Sequence, residues 1–424
     1  MTTQIWRGDA VAVAQVETLT VGGTIEADDV FVMTVNGKSL AVVAGSTDAD
    51  DVRDALVEAW NESEWPEFAE VTAEAGGGTG ELTLTADVPG RPFTVSVETT
   101  EDGGGTADDQ TFGRVTTTAS SGPKHWDAAG NWSSGSVPAN GDDVVLENAE
   151  GSILYGLDQS AVTLDSLQVE QSFTGNIGLP RVNQEGASAY FEYRETYLRI
   201  SATVVQVGRG EGGGSGRVKL DTGNNACTLN VYNTGAPLEP GVEALLWKGN
   251  HASNVVNVSR GSVGLAVLAG ESGDVSGGLQ VGYVTNPASD AQVRCGTGLT
   301  LATVTQSGGE LVTQSNVTTM NKRQDSGNLQ HLAGTMGTLA GDGGTVLYQS
   351  TGTLTTANVG RDCVLDFRRD PRSRTVTNCN LQAGAVVHDP VETVTWTNGF
   401  VLPSGVGLGD VTLNIGENFT LSKS

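Results

Sequence analysis

The chain has 424 residues, and its 50 acidic against 23 basic residues give a net charge of −27. This charge repels nucleic-acid phosphates and anionic lipid surfaces, so we expect neither nucleic acid nor membrane among its partners. No apolar run approaches the roughly 18 residues of a transmembrane helix. The first residues lack a basic stretch followed by an apolar one, which predicts no signal peptide and synthesis in the cytoplasm.

We predict no cofactor, metal site or catalytic residue from the sequence. The four cysteines form no CxxC motif and are expected to be buried apolar side chains: Cys227, Cys295, Cys363 and Cys379. The four histidines form no HxxxH pair. Acidic pairs such as Asp108–Asp109 and the glycine run 102–105 lack the patterns of calcium and phosphate loops, and turns explain them better.

Residues 1–119 form an acidic, β-rich domain with 22 acidic and 5 basic residues. Alternating patterns predict five strands, at Val16–Val21, Asp29–Val35, Lys38–Val43, Glu81–Ala86 and Phe93–Glu98. Asn36-Gly37 predicts a two-residue hairpin turn between the second and third strands. The last two strands are expected to pair around the turn Val88-Pro89-Gly90.

One helix is predicted in this domain, over about residues 50–61. Thr47 and Asp50 stand in the positions of a capping box, and further aspartates lie in the first turn, where the helix dipole favours negative charge. Val52, Leu56 and Trp60 follow one apolar stripe. A β-sandwich-like domain with one helix packed on it is therefore expected.

The strand and turn pattern of residues 16–98 resembles a small β-rich module of bacteriophage structural proteins and large bacterial surface proteins. The shared features are a Thr-Val-Gly-Gly strand end, the hairpin Asp-Val-Phe-Val-Met-Thr-Val-Asn-Gly-Lys, a helix, and the strands Leu-Thr-Leu-Thr-Ala-Asp and Pro-Phe-Thr-Val-Ser-Val. The pattern contains no catalytic signature. The resemblance therefore implies an architecture more than an activity. The strong negative charge of residues 1–119 separately predicts an anchoring domain that docks on a basic surface of a partner.

Residues 120–145 are predicted to be a tryptophan-rich linker or cap. The run from His125 to Pro138, with Trp126 and Trp132, resembles the first segment of autotransporter-type and other repetitive β-helix proteins. A solenoid must cover its open end, and two tryptophans on a turn-rich segment can do so.

Residues 146–424 are predicted to be a parallel β-helix or β-solenoid, so the chain as a whole is mostly β. Short strands recur at spacings of 16, 19, 18 and 21 residues, with glycines between them; they begin at Leu301, Val317, Met336, Leu354 and Thr375. Repeats near 20 residues without helical patterns are typical of β-solenoids.

The segment from Pro180 to Arg199 departs from the repeat and is expected to leave the solenoid as a long loop or hairpin. Tyrosine and arginine are enriched in protein interfaces, so its interface candidates are Tyr190, Phe191, Tyr193, Arg194 and Tyr197. The alternative is local packing of the segment against the solenoid.

A second cluster of interface candidates is rich in arginine: Arg361, Arg368, Arg369, Arg372 and Arg374. Three aspartates lie among them, at positions 362, 366 and 370. We expect an assembly contact with an acidic face of a neighbouring copy. An internal ion network is the competing use, and a third is an enzyme in which Asp366 and Asp370 act as paired carboxylates on an acidic sugar.

The sequence favours a structural surface protein of a tailed-bacteriophage virion, either a capsid decoration protein or a tail spike or fibre. Its expected partners are further copies of the chain, in a homotrimer or another homo-oligomer, and capsid or tail proteins; a glycan of the host surface is left open. The alternatives are a cell-surface adhesin of the autotransporter type and a polysaccharide-degrading β-helix enzyme.

Overall fold

The computed structural model describes residues 2–101, 109–184, 189–282, 290–323, 327–416 and 421–423. The glycine run 102–105 and Asp108 of the acidic pair lie outside these residues. In the described chain, a small domain of two antiparallel sheets and one helix is followed by a long parallel β-solenoid. The expected fold class is confirmed.

The first strand, β1 (Thr3–Ile5), pairs with the solenoid, and the seven strands after it form an N-terminal domain, called the module here. These strands are β2 (Val16–Gly23), β3 (Val30–Val35), β4 (Lys38–Val43), β5 (Val71–Ala75), β6 (Glu81–Ala86), β7 (Val95–Thr100) and β8 (Gln110–Thr118). They make two antiparallel sheets, of strand order β5-β6-β2-β8 and β4-β3-β7. Alternate side chains of β2, β3 and β6 are buried, which gives the module its own core.

The pairing expected between Glu81–Ala86 and Phe93–Glu98 is wrong. Strand β6 lies between β2 and β5, whereas β7 pairs with β3 in the other sheet. The turn between them carries the chain from one sheet to the other, and a local strand–turn–strand pattern cannot distinguish this from a hairpin. The Asn36-Gly37 hairpin is confirmed: Val35 faces Lys38, and both turn residues have the positive φ that such a turn requires.

The predicted helix is confirmed as α1 (Ala49–Asn61). Its N-cap is Asp48, not Thr47, because the Asp48 side chain accepts a hydrogen bond from the backbone N–H of Asp50. The apolar stripe faces the module core, where Leu56 and Trp60 are buried and Trp60 stacks on Phe68 at 4.2 Å between ring centroids.

The solenoid and its excursions contain the remaining strands. They are β9 (Asp143–Leu146), β10 (Asp158–Val169), β11 (Val182–Asn183), β12 (Tyr190–Phe191), β13 (Leu198–Val207), β14 (Val218–Asp221), β15 (Thr228–Val231), β16 (Leu245–Lys248), β17 (Val255–Val258), β18 (Ser262–Leu265), β19 (Gly273–Val275), β20 (Gly278–Val281), β21 (Gln292–Cys295), β22 (Leu299–Gln306), β23 (Glu310–Thr313), β24 (Val317–Lys322), β25 (Asn328–His331), β26 (Met336–Gly341), β27 (Gly344–Tyr348), β28 (Leu354–Val359), β29 (Cys363–Asp366), β30 (Arg374–Leu381), β31 (Val386–Asp389), β32 (Val394–Trp396), β33 (Phe400–Leu402), β34 (Thr412–Ile415) and β35 (Leu421–Lys423).

The solenoid strands stack in parallel columns. The longest column, sheet A, consists of β1, β9, β10, β13, β15, β17, β20, β22, β24, β26, β28, β30, β33 and β35. At the usual strand spacing it is about 60 Å long. A second column, sheet B, consists of β14, β16, β18, β21, β23, β25, β27, β29, β31 and β34.

The repeat read from the sequence matches the register of sheet A. Leu301 pairs with Val317, Val317 with Met336, and Met336 with Leu354, as the spacing predicts. Leu354 then pairs with Val376, one residue beyond the predicted start at 375. The inward residues of these strands form one continuous apolar core, which also contains the four cysteines.

Three tryptophans close the first turn of the solenoid. Trp132 lies edge-on to Trp126, at 4.7 Å between ring centroids, and to Trp6, at 5.1 Å. All three are buried in the solenoid core, and the indole N–H of Trp132 donates to the carbonyl of Trp126 at 2.8 Å. Residues 3–6 therefore lie with the solenoid, ahead of the module in sequence.

Candidate functional site

The tyrosine-rich segment leaves the solenoid as a hairpin, as expected, with β11 and β12 paired antiparallel. This hairpin packs on the module. The carboxylate of Glu70 accepts hydrogen bonds from the hydroxyls of Tyr190 and Tyr193 and lies 3.5 Å from the guanidinium of Arg194. Glu70 stands directly before β5, so a module residue is the centre of the contact.

Further charges complete this cluster. Arg91 of the module lies 2.9 Å from Glu70, and Arg194 lies 2.7 Å from Glu192 while donating to the carbonyl of Pro92 at 3.2 Å. Two arginines thus face two glutamates, and the side chains of all four are at most 11% exposed. Burial with balanced charge and good hydrogen bonding makes the contact specific in geometry. Burial and the neighbouring carboxylate raise the pKa of Tyr190, so it remains a hydrogen-bond donor.

The other two tyrosine-segment candidates lie elsewhere. Tyr197 is buried on the solenoid, with the ammonium of Lys248 4.3 Å from its ring centroid. Phe191 is 72% exposed. Four of the five candidate side chains are therefore engaged within the chain, and Phe191 is the one that presents most of its surface to solvent.

The arginine cluster occupies the turn between β29 and β30. Arg368 pairs with Asp366 at 2.7 Å, and Arg372 pairs with Asp370 at 2.5 Å. Arg374 is buried, and its guanidinium donates to the backbone carbonyls of Tyr348, Asp370 and Arg372. Its role is to hold the turn against the neighbouring coil.

The remaining arginines of this cluster are open to solvent. Arg361 has its side chain 84% exposed and lies 3.6 Å from Asp362. Arg369 is exposed, and no carboxylate lies within 4 Å of it among the residues that the structure describes. Together with the half-exposed Arg368 and Arg372, they form a surface that can meet an external anion or carboxylate.

Asp366 and Asp370 both have a pKa below the ordinary value, so both carboxyls are ionised at neutral pH. Burial alone would raise the pKa of Asp366, but hydrogen bonds from Arg368 lower it below the ordinary value. Hydrogen bonding to Arg372 holds the pKa of Asp370 well below its usual range. A glycosidase needs one carboxyl with a raised pKa to protonate the leaving group. These two carboxyls are therefore a poor acid–base pair.

The sequence patterns missed the residue at the centre of the hairpin contact and a polar face of sheet A. Glu70 follows a short 3₁₀ turn (Phe68–Glu70) and has no motif around it. The polar face could have been found, because Thr-x-Asn or a similar triplet recurs on successive strands, as at Thr228-Leu-Asn230 and Thr356-Ala-Asn358.

Neither a protein-family model nor a curated protein sequence matches this chain. In the described residues, no three side chains of His, Cys, Asp or Glu are grouped so that they could hold a metal ion. The structure, so far as it is described, contains no helix long and apolar enough to span a membrane.

Proposed function

We propose that this protein is a structural surface protein of a tailed-bacteriophage virion that acts through assembly, as a capsid decoration protein or a tail spike or fibre. The observation that carries the proposal is the buried contact between the module and the solenoid through Glu70 and Arg194. It fixes an acidic anchoring domain to a stiff column of stacked strands. Such an arrangement suits a part that is held at one end and presents a long surface.

The phage setting rests on the resemblance of residues 16–98 to modules of phage structural proteins. The expected partners are a basic surface of a capsid or tail protein, which the acidic module would contact, and two further copies of the chain. The exposed arginines of the 361–374 cluster supply the contact between copies. The enzyme alternative is less well supported because the paired carboxylates Asp366 and Asp370 are each neutralised by arginine.

Purified particles of a phage that encodes this sequence test the proposal directly. Antibodies against the full chain should label intact particles at the capsid or at the tail in electron micrographs. Mass spectrometry of the same particles should recover its peptides, and the purified chain should sediment as a multiple of 43.7 kDa. Particles that carry neither the label nor the peptides would contradict the proposal.

A further inference from the structure

The outward face of sheet A carries a column of side-chain amides. Ten successive strands, from β10 to β30, each place one residue in this position, here called the amide column, and eight of the ten are Asn or Gln. Its members are Gln168, Gln206, Asn230, Asn257, Gln280, Thr305, Asn321, Ala340, Asn358 and Asn380. The inward neighbours in the same strands, such as Leu229 and Val256, are buried in the core.

Neither the amide column nor the outward position two residues before it holds a charged residue on any of these ten strands. The residues two positions before the amide column are Ser166, Val204, Thr228, Val255, Gly278, Thr303, Thr319, Thr338, Thr356 and Asn378. None of the twenty side chains is ionisable, in a chain of net charge −27. The outward positions of sheet B differ, since they include Lys219, Arg294 and Asp366. The neutrality therefore belongs to sheet A and does not follow from the solenoid fold.

Hydrogen bonds join two pairs of neighbouring amides in the column and orient them. Asn257 donates to the side-chain oxygen of Asn230 at 3.0 Å, and Asn380 donates to that of Asn358 at 2.8 Å. A carboxamide has two N–H donors and two acceptor lone pairs, so one such bond leaves capacity for a ligand. Because the paired amides are already ordered, their side chains lose little additional conformational entropy when a ligand binds.

The column borders a groove of about 300 Å³ near β15, β17 and β20. Its principal lining residues are Asn230, Asn257, Gln280, Tyr232, Ser259 and Gly282. Tyr232 is 38% exposed, and the guanidinium of Arg209 lies 5.9 Å from its ring centroid while donating to Gln206 at 2.9 Å. The groove thus combines uncharged donors and acceptors with an oriented aromatic ring.

We propose that this groove and the adjoining amide column bind a neutral carbohydrate. Sugar hydroxyls are donors and acceptors at once, as carboxamides are, and the C–H face of a sugar ring can lie on the Tyr232 ring. The lining of the groove contains no charged residue, which favours a neutral ligand over an anionic one. The guanidinium of Arg209, beside Tyr232, is already engaged with Gln206. A contact between copies is the competing use of this face, and the sedimentation measurement below distinguishes it.

A printed array of neutral and anionic oligosaccharides, probed with the purified full chain, tests the ligand class. We expect the chain to bind one or more neutral glycans. We expect no binding that requires a sialic or uronic acid residue in the glycan. Binding restricted to anionic glycans, or no binding to any neutral glycan on the array, would overturn the proposal. This test is independent of the virion proposal, because it measures binding by the isolated chain whether or not that chain belongs to a virion.

Substitutions locate the site. Tyr232→Ala and the double change Asn257→Ala/Gln280→Ala should each weaken binding of the best neutral glycan by about tenfold or more, as loss of an aromatic contact or two hydrogen bonds implies. Gln330→Ala, at an outward position of sheet B, is the matched control and should bind as the unaltered chain does. Tyr232→Phe keeps the ring and should also retain binding.

Thermal melting of each variant separates loss of the site from loss of the fold. If the Tyr232→Ala and double variants melt normally and bind normally, the site is elsewhere and the proposal fails. If they melt normally but fall from oligomer to monomer on sedimentation, the face is a contact between copies, which also overturns it.

Discussion

At the scale of single residues, His331 shows how the solenoid core treats an ionisable group. It is fully buried, its ring lies 5.0 Å from that of Tyr348, and its Nε2 lies 3.1 Å from the carbonyl oxygen of Gly334. Burial lowers the pKa of His331 to about 4, although the hydrogen bond to Gly334 partly offsets this. The folded chain therefore keeps this imidazole neutral at pH values where an unfolded chain would protonate it.

This difference predicts a loss of stability on acidification. The histidine has a pKa near 6.5 in an unfolded chain and near 4 in the folded one, so the unfolded state binds more protons between these pH values. The free energy of unfolding therefore decreases as the pH falls through this range. Between pH 7 and 4.5 the loss amounts to about 2–3 kcal/mol of unfolding free energy. His331→Phe should remove this part of the pH dependence, as measured by urea unfolding at both pH values.

The phenylalanine variant is tolerable because Ser350 also donates to the Gly334 carbonyl, at 2.6 Å. That acceptor therefore keeps a partner after the substitution. Equal losses of stability on acidification in the variant and the unaltered chain would show that His331 is not responsible.

At the scale of elements, the turn between β29 and β30 divides its arginines into two kinds. Arg374 is buried and satisfies backbone carbonyls of its own turn and of β27. Arg368, Arg369 and Arg372 are exposed, whereas the aspartates that pair with Arg368 and Arg372 have side chains only 7% and 14% exposed. A cluster that is uniform in sequence is therefore structural in one residue and open to partners in the others.

Two variants test this division. Arg374→Ala leaves buried carbonyls without their donor and should destabilise the fold by about 3 kcal/mol or more. The triple change Arg368→Ala/Arg369→Ala/Arg372→Ala should destabilise the fold less than Arg374→Ala, because Asp366 and Asp370 keep the backbone N–H groups of positions 368 and 372 as donors. If the cluster joins copies, the triple variant should also shift the oligomer toward monomer on sedimentation. A triple variant that melts as low as Arg374→Ala would mean that the whole cluster is structural.

The sequence predicts those features that neighbouring residues determine, and it does not predict contacts between distant parts of the chain. Strand alternation and the spacing from Leu301 to Leu354 are local, and both appear in the structure as expected. The strand that pairs with β7 is different. Alternation predicts that β7 is a strand, but only packing in the folded domain determines that it pairs with β3 and not with β6. Glu70 meets Arg194 across 124 residues, a contact that no spacing rule reaches.

At the scale of the whole molecule, the module is an insertion between two parts of the solenoid cap. The chain leaves the cap after Trp6 and returns before Trp126, and Val13 forms an antiparallel bridge with Ser121, whose carbonyl accepts from the N–H of Val13 at 2.8 Å. The two ends of the insertion therefore lie side by side. Removing residues 1–119 would take away β1 and Trp6 as well, so that truncation does not isolate the module.

The clean test replaces residues 14–120 with Asn-Gly, because a two-residue turn can join the adjacent ends at Val13 and Ser121. We expect this shortened chain to fold as a solenoid, since β1 and all three cap tryptophans remain, as measured by circular dichroism and melting. A chain that begins at residue 120 loses Trp6 from the cap core and should be less stable by about 3–5 kcal/mol, the usual cost of deleting a buried aromatic side chain.

The same shortened chain tests where the anchor lies. If the acidic module docks on a basic surface of the particle, the chain lacking residues 14–120 should no longer co-sediment with particles, and raising the salt concentration should release the full chain because screening weakens contacts between exposed charges. The control is Phe191→Ala in the full chain, which alters an exposed side chain of the hairpin and leaves the module in place. Full retention of particle binding by the shortened chain would place the anchor in the solenoid, where the exposed arginines of the 361–374 cluster are the next surface to substitute.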